Sequence, residues 1–429
     1  MMRTLIVGID VSQAHNDVGA LTETGEVVDR PRRFANDRLG FEEFTEWAAE
    51  VLGASEYERV QIGGEATGLH WFHTFWQLQA LDEIGGLSPE IYLMNAHGVA
   101  HFKKALRQRD KTDAKDAHAI AENMRFGPLP HPLKLDIRYF ALQRLTRYRF
   151  YLVHNLAREK VYAAQVALLL KMNTYQAGEP FSDPFAKSGQ WALTTYATAD
   201  ELATCGINDL ARALRQVSRG MLADPWAKAD ELQHVAARAY PLPAELVEPV
   251  NQILTSLFAH IAFLESELAV FDQQIETLAK DLPGYDLLTS IPGIGRVYAA
   301  GLLAEIQDVQ RFMTDAKGQP RTTHQGQSAL AKFAGLWWPR IESGKLKGES
   351  RRMAKSGNRY LRYYLVQGAN GVRLNAPHYQ AFYQRKHQEA VRFKHRRALV
   401  LTARKLIRLV FALLQKNEMY QLPGGAADT

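Results

Sequence analysis

A single cysteine, Cys205, stands in the whole chain. One thiol excludes an internal disulfide framework and any multi-cysteine zinc centre, and it fits a reducing compartment. No His or Asp constellation accompanies Cys205, which therefore reads as structural. No apolar run approaches membrane-spanning length, and no internal repeat is visible. The opening MMRTLIVGIDVS passes straight into a strand pattern without the shape of a signal peptide. These absences lead us to expect a soluble cytoplasmic protein with no membrane partner. Acid is scarcer than base: the net charge of +6 and pI near 9.1 favour an anionic partner, though weakly, since many basic proteins bind nothing acidic.

What is present is enough for several cores. A length of 429 residues with 46% hydrophobic content suits two or three domains. Residues 4–11, TLIVGIDV, form a short β-branched run of the buried-strand type. A second strand is expected from about His15 to Leu21, followed by a turn at Thr24-Gly25-Glu26 into Val27-Val28. Residues 37–52 carry apolar positions at helical spacing, with Asn36 or Asp37 as N-cap. A strand from Arg59 to Glu65, a helix from about Leu69 to Leu81, a strand from Glu90 to Met94 and a helical segment from Asn95 to Asn123 follow. This order predicts an α/β layer with a mixed sheet, as in a ribonuclease-H-like domain. From Leu133 to Leu170 the pattern is helical and rich in Arg and Tyr. A Gly/Pro/Ser-rich stretch, Gly178 to Gly189, interrupts it, and helix returns from about Pro243 to Leu282. Two long helical segments around an insertion predict an antiparallel coiled coil or arm, with a plain helical linker as the alternative. The last unit begins near Leu287 and ends in a basic helix, Lys394 to Gln415, and a disordered-looking tail, Pro423 to Thr429. The expected boundaries are 1–130, 131–284, 285–422 and 423–429.

Four acids invite a metal-dependent reading. Asp10 closes the first strand pattern, Glu65 closes a later one, and Asp113 and Asp116 lie three apart, on one face if their segment is helical. Carboxylates gathered at strand ends and a helix start repel one another unless a divalent cation neutralises them. Mg²⁺, hard and oxygen-seeking, is the natural occupant. Two such ions about 4 Å apart stabilise both the attacking and the leaving oxygens of a phosphodiester displacement. Taken singly, each acid reads more often as a structural cap than as a catalytic group. The G-I-D-V-S opening also suits a sugar-kinase or actin-like ATPase, but no later Gly-rich adenosine-binding stretch follows a strand and Asp.

Residues 287–306, LLTSIPGIGRVYAAGLLAEI, predict two short helices joined at Ile291-Pro292-Gly293-Ile294-Gly295, a helix-hairpin-helix. Gly293 and Gly295 let the backbone turn tightly and approach a phosphate at the next helix N-terminus; a plain Gly turn between packed helices is the alternative. After it, Lys345, Lys347, Arg351, Arg352 and Lys355 crowd a Gly-punctuated loop flanked by Trp337, Trp338, Tyr360, Tyr363 and Tyr364. That composition suits a nucleic-acid backbone. Ser343, in Glu342-Ser343-Gly344, could attack a phosphodiester and conserve the bond as a phosphoserine linkage. On local chemistry alone Ser350 and Ser356 compete for the role, and each could equally be an ordinary surface serine.

Together, G-I-D-V-S, G-E-A-T-G and K-T-D-A-K-D-A resemble the DEDD transposases of insertion-sequence family 110, whose N-terminal domain resembles the Holliday-junction resolvase RuvC. I-P-G-I-G, F-A-G-L, E-S-G and K-S-G-N-x-x-L-R resemble that family's transposase domain. The resemblance covers most of 4–125 and 285–385. It implies that Asp10, Glu65, Asp113 and Asp116 form the acidic set and that Ser343 is the nucleophile. It further implies double-stranded DNA as substrate, a structured bridge RNA as guide, and a homodimer or homotetramer in which one protomer's metal site meets another's serine domain. Two rival readings stay open: a structure-selective nuclease that uses water, and a non-catalytic nucleic-acid-binding protein.

Overall fold

The apolar run Thr4–Val11 forms strand β1, and β2 (His15–Thr22) and β3 (Val27–Ala35) follow it as an antiparallel meander. The computed structural model describes residues 3–105, 113–127, 129–315, 318–339, 342–343, 346–347 and 353–422. Helix α1 (Arg38–Gly53) leads to β4 (Arg59–Glu65), α2 (Trp71–Ala80) to β5 (Pro89–Met94), and then come α3 (Ala96–Ala105) and α4 (Asp113–Phe126). The N-cap of α1 is Asp37, whose carboxylate accepts from the Gly40 amide at 2.9 Å. Asn36 instead donates to the Ser12 carbonyl at 2.8 Å, tying two loops together.

The sheet order is β3-β2-β1-β4-β5, with β4 and β5 parallel to β1. The two-residue period of each strand sorts side chains to opposite faces. Leu5, Val7 and Ile9, with Val60 and Ile62, pack in one core with Phe44 and Trp47 of α1 and Phe75 and Leu78 of α2. Ile6 and Leu21 face the other way, against Ile120, Ala121 and Met124 of α4.

On that second face glycine decides how close the helix comes. A Cβ on Gly8 would lie 2.3 Å from the Ala117 carbonyl oxygen and 2.5 Å from the Ala121 amide nitrogen. One on Gly19 would lie 3.2 Å from the His118 amide nitrogen, and one on Gly63 would strike the Met124 sulfur. The helix therefore rests backbone on backbone against β1 and β2. A mixed α/β N-terminal layer is thus observed as expected.

The rest of the chain is mainly helical. By contact the chain divides into two compact units, Met1–Phe140 with Ile306–Thr429, and Ala141–Glu305. In the second, α5 (Ile137–Tyr162) runs through a π-helical turn, Ala163–Ala167, into α6 (Leu168–Lys171). It pairs antiparallel with α12 (Ala244–Ala279): Arg149 bonds Asp272, Lys160 meets Glu265 at 2.7 Å, and the Tyr148 and Phe271 rings lie 4.8 Å apart. Between them sit α7 (Tyr175–Gly178), α8 (Lys187–Thr195), α9 (Ala199–Thr204), α10 (Ile207–Val217) and α11 (Pro225–Ala237). The unit closes with α13 (Tyr285–Thr289) and most of α14 (Arg296–Ile306).

By length and composition α12 is apolar enough to cross a bilayer. Polar residues at Asn251, Gln252, Thr255, Ser256 and His260 break any continuous apolar run, which hid the helix's high mean hydropathy in the sequence. Val250, Leu254, Leu257, Phe258 and Ile261 recur at helical spacing and are buried in the unit's own core.

In the C-terminal part of the first unit lie α15 (Thr323–Phe333), the short strands β6 (Glu342–Ser343) and β7 (Leu346–Lys347), α16 (Arg359–Asn375), α17 (Pro377–Gln388) and α18 (Lys394–Lys416). The tail 423–429 lies outside the described residues.

Two outcomes follow. Gly8→Ala forces a side chain into the α4 backbone and is expected to cost about 2 kcal/mol, read as an earlier urea midpoint; an unchanged midpoint contradicts the close approach. In the second unit Lys171 is buried, and its ammonium donates to the Leu193 and Tyr196 carbonyls, each at 2.7 Å, and to the Asn251 side chain. Burial pushes its pKa from 10.5 down to about 8, with Glu201 opposing the shift. The unfolded chain then holds more protons than the folded one between those values, so stability rises as pH climbs from about 8 to 10.5. Lys171→Met is expected to remove that part of the slope in denaturation measured across this window.

Candidate functional site

The strand period that sorts the core also sorts the acids. Asp10 is two residues beyond Gly8 and shares its face; Glu65 is two beyond Gly63 and shares that one. In the β1–β4 register Ile9 stands beside Gly64, so the next step brings Asp10 level with Glu65. Across the other edge Asp10 lies opposite Asp17, and Asp17 opposite Arg33. A row of charged residues, Glu65, Asp10, Asp17 and Arg33, thus crosses four strands on the face that α4 covers.

Helix α4 completes the arrangement. Its C-terminal Arg125 reaches Gly25, beside the start of β1, while Ala117 and Ala121 sit over Gly8. It therefore runs against β1, and its N-terminal turn points to the end where Asp10 sits. Asp116 lies one residue before Ala117 and four before Ile120, next to the sheet-facing stripe. Asp113 opens the helix, and its side chain lies outside the described residues.

Lys103 of α3 ties two of the acids. Its ammonium lies 3.1 Å from an Asp116 oxygen and 3.8 Å from a Glu65 oxygen, with the three side chains between 15 and 22% exposed. The Thr67 hydroxyl donates to the other Glu65 oxygen at 2.7 Å. Glu65 and Asp116 are therefore brought together, and Asp10 is placed beside Glu65 by register. Among the described residues no three His, Cys, Asp or Glu side chains stand close enough to hold one ion. The donors are all hard carboxylate oxygens, and a resident ammonium already occupies the space between two of them. A hard divalent cation is the chemistry that fits such a donor set.

Lys103, Thr67, Asp17 and Arg33 were missed in the sequence. Thr67 follows Glu65 by two residues in G-E-A-T-G and could have been found; Lys103 sits in an unremarkable HFKKAL run, and only folding reveals it. Asp17 is buried and held by Arg33, at 3.0 and 3.3 Å, and by His15, so its charge is already matched.

The predicted hairpin also has described geometry. α13 and α14 flank a turn in which Gly293 takes φ of 88° and the Ile294 amide donates to the Ile291 carbonyl at 2.9 Å. Gly295 is exposed, and a Cβ there would meet nothing within 4 Å, so its backbone stands open. α14 is anchored from behind by Glu305, whose buried carboxylate takes both prongs of Arg147, at 2.7 and 2.9 Å.

Around the serine loop, β6 pairs antiparallel with β7, Ser343 opposite Leu346. The side chains of Ser343 and Lys347, and residues Lys345, Ser350, Arg351 and Arg352, lie outside the described residues. Lys355 and Ser356 are exposed. Lys355 has a left-handed φ of 53°, and its carbonyl accepts from Arg362 at 2.8 Å. Arg362 also donates to the Ala334 carbonyl at 3.1 Å, and its burial lowers its pKa. The Asn358 amide donates to the Phe333 carbonyl at 2.7 Å, while its side chain caps α16. F-A-G-L and K-S-G-N are thus two interlocked loops joining the end of α15 to the start of α16.

Gly357 carries the tightest part of that lock, with φ of 132°. A Cβ there would fall 2.5 Å from the Phe333 carbonyl oxygen and 2.8 Å from the Gly335 nitrogen. Gly357→Ala is expected to cost about 2 kcal/mol, seen as a lower thermal midpoint, whereas Ser356→Ala beside it is expected to change little. Equal effects of the two would contradict the lock.

A DEDD transposase profile of insertion sequence 110 matches residues 7–170, and a profile described as the transposase IS116/IS110/IS902 family matches 285–384. The uncharacterized 42 kDa protein of insertion element IS900 of Mycobacterium paratuberculosis is 27% identical over 323 residues, 75% of this chain and 76% of its own. The uncharacterized 44.8 kDa protein of insertion element IS116 of Streptomyces clavuligerus is 24% identical over 435 aligned positions, 96% of this chain and 95% of its own. The two profiles fall in the expected order and together span more than half of the sequence, so the chain belongs to the IS110/IS116 family of insertion-sequence transposases.

Proposed function

We propose that this transposase cuts and rejoins double-stranded DNA through a phosphoserine intermediate, with Asp10, Glu65, Asp113 and Asp116 as a magnesium-binding set and Ser343 as nucleophile. The observation that carries the reading is the meeting of Glu65 and Asp116 on one ammonium, with Asp10 level with Glu65 at the ends of parallel strands. The sheet order β3-β2-β1-β4-β5, antiparallel on one side of β1 and parallel on the other, supports a ribonuclease-H-like or RuvC-like domain over 1–130. Magnesium bound there would supply Lewis-acid polarisation of a phosphate oxygen.

The chain's own groups do the rest. The Ser343 hydroxyl loses its proton and bonds to phosphorus as the strand's own P–O bond breaks, and the departing sugar oxygen takes up a proton. Reversal by a different strand's hydroxyl restores the serine and joins the new partner, so no external energy source is needed. Lys345, Lys347, Arg351, Arg352 and Lys355 grip flanking phosphates and offset developing charge. Gly293 and Gly295 give a helix-hairpin-helix approach to the backbone, which positions DNA without reading its sequence. Sequence choice is then delegated to a structured guide RNA. The site is completed by a homodimer or homotetramer in which one protomer's carboxylates serve another's serine. Resemblance to the family supports the RNA and the shared site.

Trapping tests the chemistry. A nicked suicide DNA substrate incubated with Mg²⁺ and then denatured is expected to yield a protein–DNA adduct, absent in Ser343→Ala and reduced at least about a hundredfold in Asp116→Asn. Cleavage without any adduct would replace serine by water. Separately, Lys103→Met removes the resident cation, so Mn²⁺ measured by titration calorimetry is expected to bind more tightly; weaker binding would deny that the ammonium and the ion compete for the same carboxylates.

A further inference from the structure

The carboxylate site and the serine loop leave the most strongly charged part of the chain unused. From Arg359 to Lys416, across α16, α17 and α18, stand thirteen lysines and arginines against one acid, Glu389. The whole chain is only +6, so the remainder is net negative. Glu389 is already taken by Lys386, at 2.6 Å, and Arg385, at 3.8 Å.

The charge peaks at the tip between α17 and α18. Every residue from Val391 to Arg397 is exposed, Val391 at 86% and Phe393 at 78%. Arg392, Lys394, Arg396 and Arg397 surround Phe393, and no carboxylate pairs with any of them among the described residues. Two features go against local stability. Phe393 takes a left-handed φ of 51°, which a bulky L-residue enters at a cost. Lys394, Arg396 and Arg397 occupy the first turn of α18, where the helix dipole repels cations, and no acid or side-chain cap relieves them. The tip is nevertheless held. The Phe393 carbonyl accepts the first helical bond, from Arg397 at 2.9 Å, and His395 bonds the Tyr383 hydroxyl at 2.7 Å, with Arg373 over the Tyr383 ring.

We propose that the α17–α18 tip grips an unpaired DNA strand, with Phe393 stacked on a base and Arg392, Lys394, Arg396 and Arg397 on the adjoining phosphates. Unpaired cations crowding a dipole of their own sign fit a polyanion, and an exposed aromatic ring among them fits a base face that pairing does not hide. A duplex keeps its bases stacked, so it would use the cations and not the ring. A lipid surface would need an exposed apolar helix face, and only Val391 and Phe393 project here. The inference rests on the recombinase reading for its purpose, since strand exchange exposes unpaired DNA.

Fluorescence anisotropy of the full-length protein tests it, using a labelled single-stranded DNA, its duplex and the matching RNA. Phe393→Ala is expected to weaken single-stranded DNA binding about tenfold and to leave duplex binding unchanged. Arg396→Ala with Arg397→Ala is expected to lower the slope of log affinity against log salt by about 1.4 on the single strand. Circular dichroism melts matching the wild type show that the exposed substitutions leave folding intact. Single-strand affinity that is indifferent to Phe393 overturns the proposal. Tighter Phe393-dependent binding of the RNA, or capture by anionic phosphatidylserine vesicles in place of DNA, overturns it equally. Metal-dependent nicking of the duplex, followed in parallel, reads the carboxylate site: its absence beside intact tip binding would sink the proposed function and leave the tip standing.

Discussion

The structure depends on one close approach, that of the α4 backbone to the backbones of β1 and β2 through Gly8 and Gly19. Any side chain at Gly8 would push the helix outward, and the helix carries Asp116. Because Gly8 and Asp10 share a strand face, the residue that admits the helix and the residue that uses it are two apart. Small residues in α4, Ala117 and Ala121, meet the glycines from the other side. The packing term and the site geometry are therefore one constraint. A helix held off by even a methyl group's width would carry its carboxylate away from Asp10 and Glu65.

That constraint concentrates negative charge, and the chain manages the charge locally. Asp17 is neutralised by Arg33 and lies beside His15, which leaves it as part of the wall. Glu65 and Asp116 instead share Lys103, a long flexible cation that can swing away without disturbing the backbone. The difference separates an acid matched by a rigidly held guanidinium from two that share one ammonium. At the other end of the chain the sign is reversed, and the C-terminal helices gather cations with almost no acids among them. One part of the protein gathers carboxylates and another gathers cations.

Much of this was legible in the sequence, for physical reasons that differ by element. β1 and its Asp10 were readable because a β-branched run ending in an acid is a local signal, and the Asp37 cap was readable for the same reason. The helical character of α5 and α12 was readable from two long helical periods around an insertion, while their pairing stayed one of two readings. The role of Gly8 was not readable, since within TLIVGIDV it looks like a tolerated gap in an apolar strand. Gly178 and Gly189 read as loop punctuation, yet each is a packing position: a Cβ would strike Val235 in one case and the Pro184 carbonyl in the other. The high mean hydropathy of α12 was hidden by scattered polar residues. Lys103 became visible only once α3 and α4 lay over the same strand ends. Contacts between distant segments leave no local trace, and the candidate site is made mostly of such contacts.

The central claim is that a strand acid and a helix acid act on one ion. A double-mutant cycle on Mn²⁺ affinity, using Asp10→Asn, Asp116→Asn and the pair, measures it most directly. Shared coordination predicts strong non-additivity, the second substitution costing far less once the first is made. Losses that simply add in free energy would mean that the two carboxylates never serve the same cation.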